Sequence, residues 1–313
     1  MADRKRQPEP GLVQPVVLSA SRATDIPAFY ADWFMNRLRA GGFQWTNPFR
    51  PSQVQTVSLA QTRVIVFWSK HPAGLLAHLD ELTRSGFHFY FQYTLNDYEA
   101  EGCEPGLPPL ADRIDLFRRL ADRLGPDRVV WRLDPLLLTD RCGVPELLDK
   151  AARLAMRLAP YTRKLVFSFA DIERYPGVRR NLARAGIAAR EFVPAEMEEF
   201  ARGLVAINRG SGLALATCAE QVDLSSHGIV HNRCVDGELM ARLWPEDAAL
   251  MSFLGSSRAR KDQGQRKACR CIASKDIGRY GTCPHGCRYC YATRDPEAAR
   301  RAFHRHRPDS GGI

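Results

Sequence analysis

Six apolar runs, five of them followed by a stretch of helical periodicity, constrain the architecture of this 313-residue chain more than any other feature. The runs are Val16 to Ser19, Val64 to Trp68, Phe87 to Leu95, Val129 to Pro135, Lys164 to Phe169 and Leu213 to Cys218. Strands that are continuously apolar are buried on both faces, as in parallel sheets covered by their crossover helices. Thr24 or Asp25 can cap a first helix that Pro27 opens and that continues through Leu38. Further helices are expected through Leu75 to Leu82, Ile114 to Leu124, Glu146 to Leu158 and Ala195 to Asn208. The expected fold is α/β: a TIM-like (β/α) barrel over residues 16–256, complete or partial with about six strands. No G-x-G-x-x-G follows the first run, which argues against a dinucleotide-binding fold. Residues 43–58 read as irregular or a small strand pair. Met1 to Pro15 read as a disordered lead with no apolar signal core.

The strand exits share polar chemistry. Arg22 and Asp25 follow the first run, Ser69 and Lys70 the second, Thr94 and Asn96 the third, Arg132 and Asp134 the fourth. Ser168 and Asp171 follow the fifth, and Thr217, Cys218 and Glu220 the sixth. Barrel enzymes gather their active sites at this face. Arg132 lies inside an apolar strand, so its charge needs a buried partner. Arg22, Asp25, Lys70, Arg132 and Asp134 are therefore the candidate pocket residues.

A second feature is the loop Cys283-Pro284-His285-Gly286-Cys287-Arg288-Tyr289-Cys290-Tyr291. Three thiolates at spacings of four and three can hold three corners of a [4Fe–4S] cluster and leave one iron open. Zinc is the competing metal for clustered sulfur ligands. Tyr289 and Tyr291 are expected beside the bound group, and His285 as a ligand or, in preference, a hydrogen-bond donor to sulfur. Cys218, Cys234, Cys269 and Cys271 could form a further four-sulfur site, a second cluster or a zinc. The bland alternative is that Cys218 and Cys234 are small buried hydrophobes. Cys103 and Cys142 read as incidental.

Nine cysteines, an odd number gathered toward one end, do not form the framework of a secreted disulfide protein. A reducing cytoplasm is the expected compartment. No apolar run approaches the roughly 20 residues of a membrane span. Of the net charge of +10, most lies beyond Ser257, where fourteen Lys and Arg face five Asp and Glu. Such a segment, from Arg258 to Arg307, can grip phosphates. The alternative function is therefore a zinc-stabilised nucleic-acid-binding protein without radical chemistry.

Several stretches together resemble a bacterial family known only as domain of unknown function 1848. They are Ser19 to Pro27, Val66 to Lys70, Trp131 to Pro135, Cys234 to Gly237 and Cys271 to Ala292. The cysteine loop is itself similar to the cluster loop of radical S-adenosylmethionine enzymes. That resemblance implies a [4Fe–4S] cluster on Cys283, Cys287 and Cys290, with S-adenosylmethionine on the open iron and reductive cleavage to a 5′-deoxyadenosyl radical. It also implies an electron donor such as flavodoxin or ferredoxin. The chain departs from that superfamily in placing the loop after the strands instead of after the first one. It also lacks a Gly-Gly-Glu-type segment after the second strand.

Overall fold

The computed structural model describes residues 11–48 and 50–313. Its centre is one sheet of eight parallel strands: β1 (Val17–Ala20), β2 (Val64–Ser69), β3 (His88–Thr94), β4 (Val129–Leu136), β5 (Lys164–Phe169), β6 (Ala214–Thr217), β7 (Val230–His231) and β8 (Lys275–Asp276). Their spatial order is β7-β6-β5-β4-β3-β2-β1-β8, so neighbours in sequence are neighbours in space and the last strand lies beside the first. The six expected runs all became strands. β7 and β8, two residues each, were not anticipated. Among the described residues β7 and β8 are not paired with each other, so the hydrogen-bonded sheet is open where a closed barrel would join.

The pleat divides each strand between two apolar layers. Leu18, Ile65, Phe67, Phe89, Phe91, Trp131, Leu133, Leu165 and Phe167 point one way, into the core beneath the crossover helices. Val17, Val64, Val66, Tyr90, Val130 and Val166 point the other way, onto Met240, Leu250, Cys234, Cys269 and Cys271. The strands are thus buried on both faces, which explains their unbroken apolar sequences.

The helices follow from local signals. Leu110–Leu124 ends at Gly125, whose φ of 85° a side chain would resist. Val144–Leu158 opens with Pro145, and Glu146 Oε2 accepts from Gly143 N at 2.9 Å. Pro194–Asn208 repeats the device with Glu196 and Val193 N at 3.1 Å. The single helix expected from Pro27 to Leu38 is two, Ile26–Phe29 and Ala31–Arg39. Tyr30 leaves helical geometry between them, and its hydroxyl donates to the Thr282 carbonyl at 2.8 Å. The Leu75 to Leu82 stretch likewise divides into Ala73–Leu76 and Leu79–Arg84.

Residues 43–58 form a hairpin, Gly42–Asn47 against Arg50–Ser58, with Leu12–Val13 alongside in parallel. Ordered structure therefore begins before residue 16, while the rest of the expected disordered lead, residues 1–10, lies outside the described residues. The last 57 residues are woven into the body: β8 pairs with β1, and Phe303 of helix Pro296–Arg305 packs on Phe29 and Tyr30. Among the described residues no helix is long and apolar enough to cross a membrane.

Candidate active site

The loop carrying Cys283, Cys287 and Cys290 docks on the C-terminal ends of β1, β2 and β3. Asp25 is its main anchor. The carboxylate caps helix Ile26–Phe29 through Ala28 N (3.1 Å) and accepts from Ser69 Oγ (2.6 Å) and Lys70 N (2.8 Å). His285 Nε2 lies 2.8 Å from its other face. Burial alone would raise the Asp25 pKa, but the His285 contact, the Ser69 hydroxyl and the Lys70 amide hold it below the usual carboxylate range. Thr24 Oγ1 meets Thr282 Oγ1 at 2.7 Å, and Arg288 N donates to the Cys103 carbonyl at 2.8 Å. Gly106 permits the closest approach, since a Cβ there would stand 2.3 Å from the His285 carbonyl oxygen.

Beside Cys287 lies a buried polar cluster. Lys70 Nζ is 2.9 Å from Glu104 Oε1 and 2.9 Å from the Tyr289 hydroxyl. Tyr289 donates to Glu104, and Asn96 Nδ2 donates to the Tyr289 oxygen at 3.1 Å. Arg113 Nη1 closes the far side of Glu104 at 3.4 Å. Burial opposes both charges, yet Lys70 is raised and Glu104 lowered from their ordinary values, because each faces the other. Burial pushes the Cys283 thiol up to about 12 and Cys287 up as well, with Lys70 pulling Cys287 back.

Arg132, Asp134 and Ser168 occupy the next exits. Alternation along β4 aims Arg132 and Asp134 away from the helix-covered face, and there the arginine finds the partner its burial requires. It pairs with Asp134, which also accepts from the Ser168 hydroxyl. Burial disfavours both charges, but the pairing lowers the Asp134 pKa and raises that of Arg132. Arg132 also lies 5.1 Å from the Trp68 ring centroid, with Arg22 at 5.0 Å from the same ring. Arg22 pairs with Asp276 of β8 at 3.3 Å.

All five candidate pocket residues therefore stand at the C-terminal ends of β1, β2 and β4. Tyr289 is buried against Lys70. Tyr291 is exposed, against Tyr175 with ring centroids 5.4 Å apart. His285, expected to donate to sulfur, instead faces Asp25 and the Gly106 carbonyl. Glu104, Asn96 and Ser168 complete the cluster. Glu104 was missed because it lies in a loop whose prolines and glycine read only as a turn. Glu220, at the β6 exit, accepts from Phe169 N at 2.9 Å, and burial pushes its carboxyl up to about 8.

Cys103 and Cys142 are buried, and burial pushes their thiols up to about 12 and about 11. The other four cysteines lie across the sheet from the loop. Cys218 Sγ and Cys234 Sγ are 3.4 Å apart, and Cys271 reaches both Cys234 and Cys269.

As a donor set, three cysteines on one short loop beside a buried ammonium have the type and number that a three-thiolate iron–sulfur site needs. Among the described residues no three His, Cys, Asp or Glu side chains already stand as a metal-ligand shell, so a bound group would need the thiols to turn toward it. In the basic segment Arg258, Arg260, Lys261, Lys267 and Arg270 are exposed, whereas Arg266 reaches Asp171 at 2.5 Å.

A family model described as a domain of unknown function (DUF1848) matches residues 17–292, nearly the whole chain. No curated protein matches it.

Proposed function

The chain belongs to this family, and on that premise we propose that it is an iron–sulfur enzyme with radical-SAM-like chemistry, acting at the C-terminal mouth of a partial (β/α) barrel. The observation that carries the reading is the docking of the cysteine loop on the strand ends, where the Lys70 ammonium, paired with Glu104 and Tyr289, favours the Cys287 thiolate. Cys283, Cys287 and Cys290 would hold a [4Fe–4S] cluster, which would supply one-electron reduction of S-adenosylmethionine, with a flavodoxin- or ferredoxin-type protein as the electron source. Asp25 and His285 fix the loop. Lys70 offsets thiolate charge, and Tyr289 supports the edge of the group. Asp134 and Ser168, held in place by Arg132, present hydrogen-bonding groups to a polar substrate. Alanine at Cys287 tests the assignment: iron and sulfide content should fall after reconstitution, and unchanged content would refute it.

A second reading rests on the exposed row Arg258, Arg260, Lys261, Lys267 and Arg270. It assigns nucleic-acid contact to this segment, and binding that weakens steeply with salt would support it.

A further inference from the structure

We propose that Cys218, Cys234, Cys269 and Cys271 form a second metal site, a closed four-thiolate site for one tetrahedrally coordinated divalent ion of the zinc or ferrous class. It is independent of the loop at Cys283, Cys287 and Cys290.

Three separated segments supply the four thiols. Cys218 follows β6, Cys234 follows β7, and Cys269 and Cys271 precede β8. The sulfurs form a continuous series: Cys218 to Cys234 at 3.4 Å, Cys234 to Cys271, and Cys271 to Cys269. Zinc–sulfur bonds of about 2.3 Å in a tetrahedron place the sulfurs about 3.8 Å apart. The Cys218–Cys234 separation is close to that edge. Among the described residues the four thiols do not yet stand as a ligand shell, so Cys269 and Cys271 would have to turn to bring all four around a common centre.

The surroundings suit thiolates. Arg132 Nη1 donates to Cys234 Sγ at 2.7 Å, Asn232 Nδ2 to the same sulfur at 3.1 Å, and Val235 N to Cys271 Sγ at 3.3 Å. The Arg22 guanidinium stands beside Cys271, and its Nη2 is buried without a hydrogen-bond partner. N–H donors of this kind orient metal-bound sulfur and offset its charge.

The position gives the ion a task. Among the described residues β7 and β8 are the edges of the sheet, and the segments beside them meet through Ile272 N to the Val235 carbonyl at 3.1 Å. A four-thiolate ion there would tie the β6 and β7 exits to the segment that enters β8, fastening the sheet where no strand ladder does.

The test uses the full chain with Cys283, Cys287 and Cys290 all changed to Ala, which removes the proposed cluster ligands and leaves this site intact. Titration with Co²⁺ should give one ion per chain with the absorption of a tetrahedral thiolate complex, displaced by Zn²⁺. Adding Cys271→Ser or Cys218→Ser should weaken binding at least tenfold, while Cys142→Ser should not. Because a serine variant can unfold, the thermal midpoint of the triple variant is also read with and without Zn²⁺, and it should rise with the metal. The proposal is overturned if the triple variant binds no ion, if Cys271→Ser leaves affinity unchanged, or if the midpoint does not move. It is equally overturned, in its single-ion form, if acid-labile sulfide accompanies the metal. None of these outcomes bears on the loop cysteines, whose failure would appear only in the protein that retains them.

Discussion

Lys70 Nζ stands 2.9 Å from Glu104 Oε1, a buried ion pair between the exit of β2 and the loop after β3, with Cys287 beside the ammonium. Removing one member strands the other in a low-dielectric site. Lys70→Met should cost about 3 kcal/mol of unfolding free energy. The double variant Lys70→Met/Glu104→Gln should recover part of that, because it removes both charges. Denaturant unfolding of the variants reads the coupling, and strictly additive losses would show that the pair does not act as one.

Gly106 sits where the loop after β3 touches the backbone at His285. A Cβ at that point meets the carbonyl oxygen at 2.3 Å, and neither backbone is a flexible side-chain end. Gly106→Ala should cost about 2 kcal/mol and speed hydrogen exchange across residues 282–291. Unchanged exchange there would mean that the two loops are not coupled.

Asp247 gives a pH prediction far from the cysteines. It caps helix Ala248–Leu254 through Leu250 N at 2.9 Å and faces Arg63 Nη2 at 2.6 Å and His88 Nε2 at 3.0 Å. Burial would raise its pKa, but Arg63, the Leu250 amide and His88 hold it below the ordinary value of 3.8. The folded state therefore favours the ionised form. Its stabilisation is complete above the unfolded pKa and is lost as pH falls through the lower folded one. Asp247→Asn retains an N-cap side chain and should cost about 2 kcal/mol at neutral pH. The gap from wild type should close on acidification below about pH 4. A gap that stayed constant would contradict the assignment.

What could be read from the sequence was what repeats. Continuous apolar runs such as Val64 to Trp68 announced parallel strands because burial on both faces leaves no polar alternation. β7 and β8 escaped because two-residue strands carry no period, and their pairing depends on neighbours already in place. Helices Gly237–Leu243, Ala248–Leu254 and Pro296–Arg305 were overlooked although Asp236, Asp247 and Asp295 cap them. Those caps were legible signals. At the site, Arg132 announced itself as a charge in an apolar strand, and Asp134 is the partner it needed. Glu104 had no such signature: its role depends on Lys70 arriving from another strand exit. Nor could spacing show that His285 would face Asp25, 260 positions away in sequence.

Cys283, Cys287 and Cys290 are proposed to hold a cubane cluster with one open iron. Anaerobic reconstitution, iron and sulfide analysis, and EPR of the reduced protein with and without S-adenosylmethionine test it most directly. About four sulfides and at least four irons per chain are expected, with an EPR signal that changes when S-adenosylmethionine is added. An EPR-silent protein without acid-labile sulfide, or a cluster signal indifferent to S-adenosylmethionine, would contradict it.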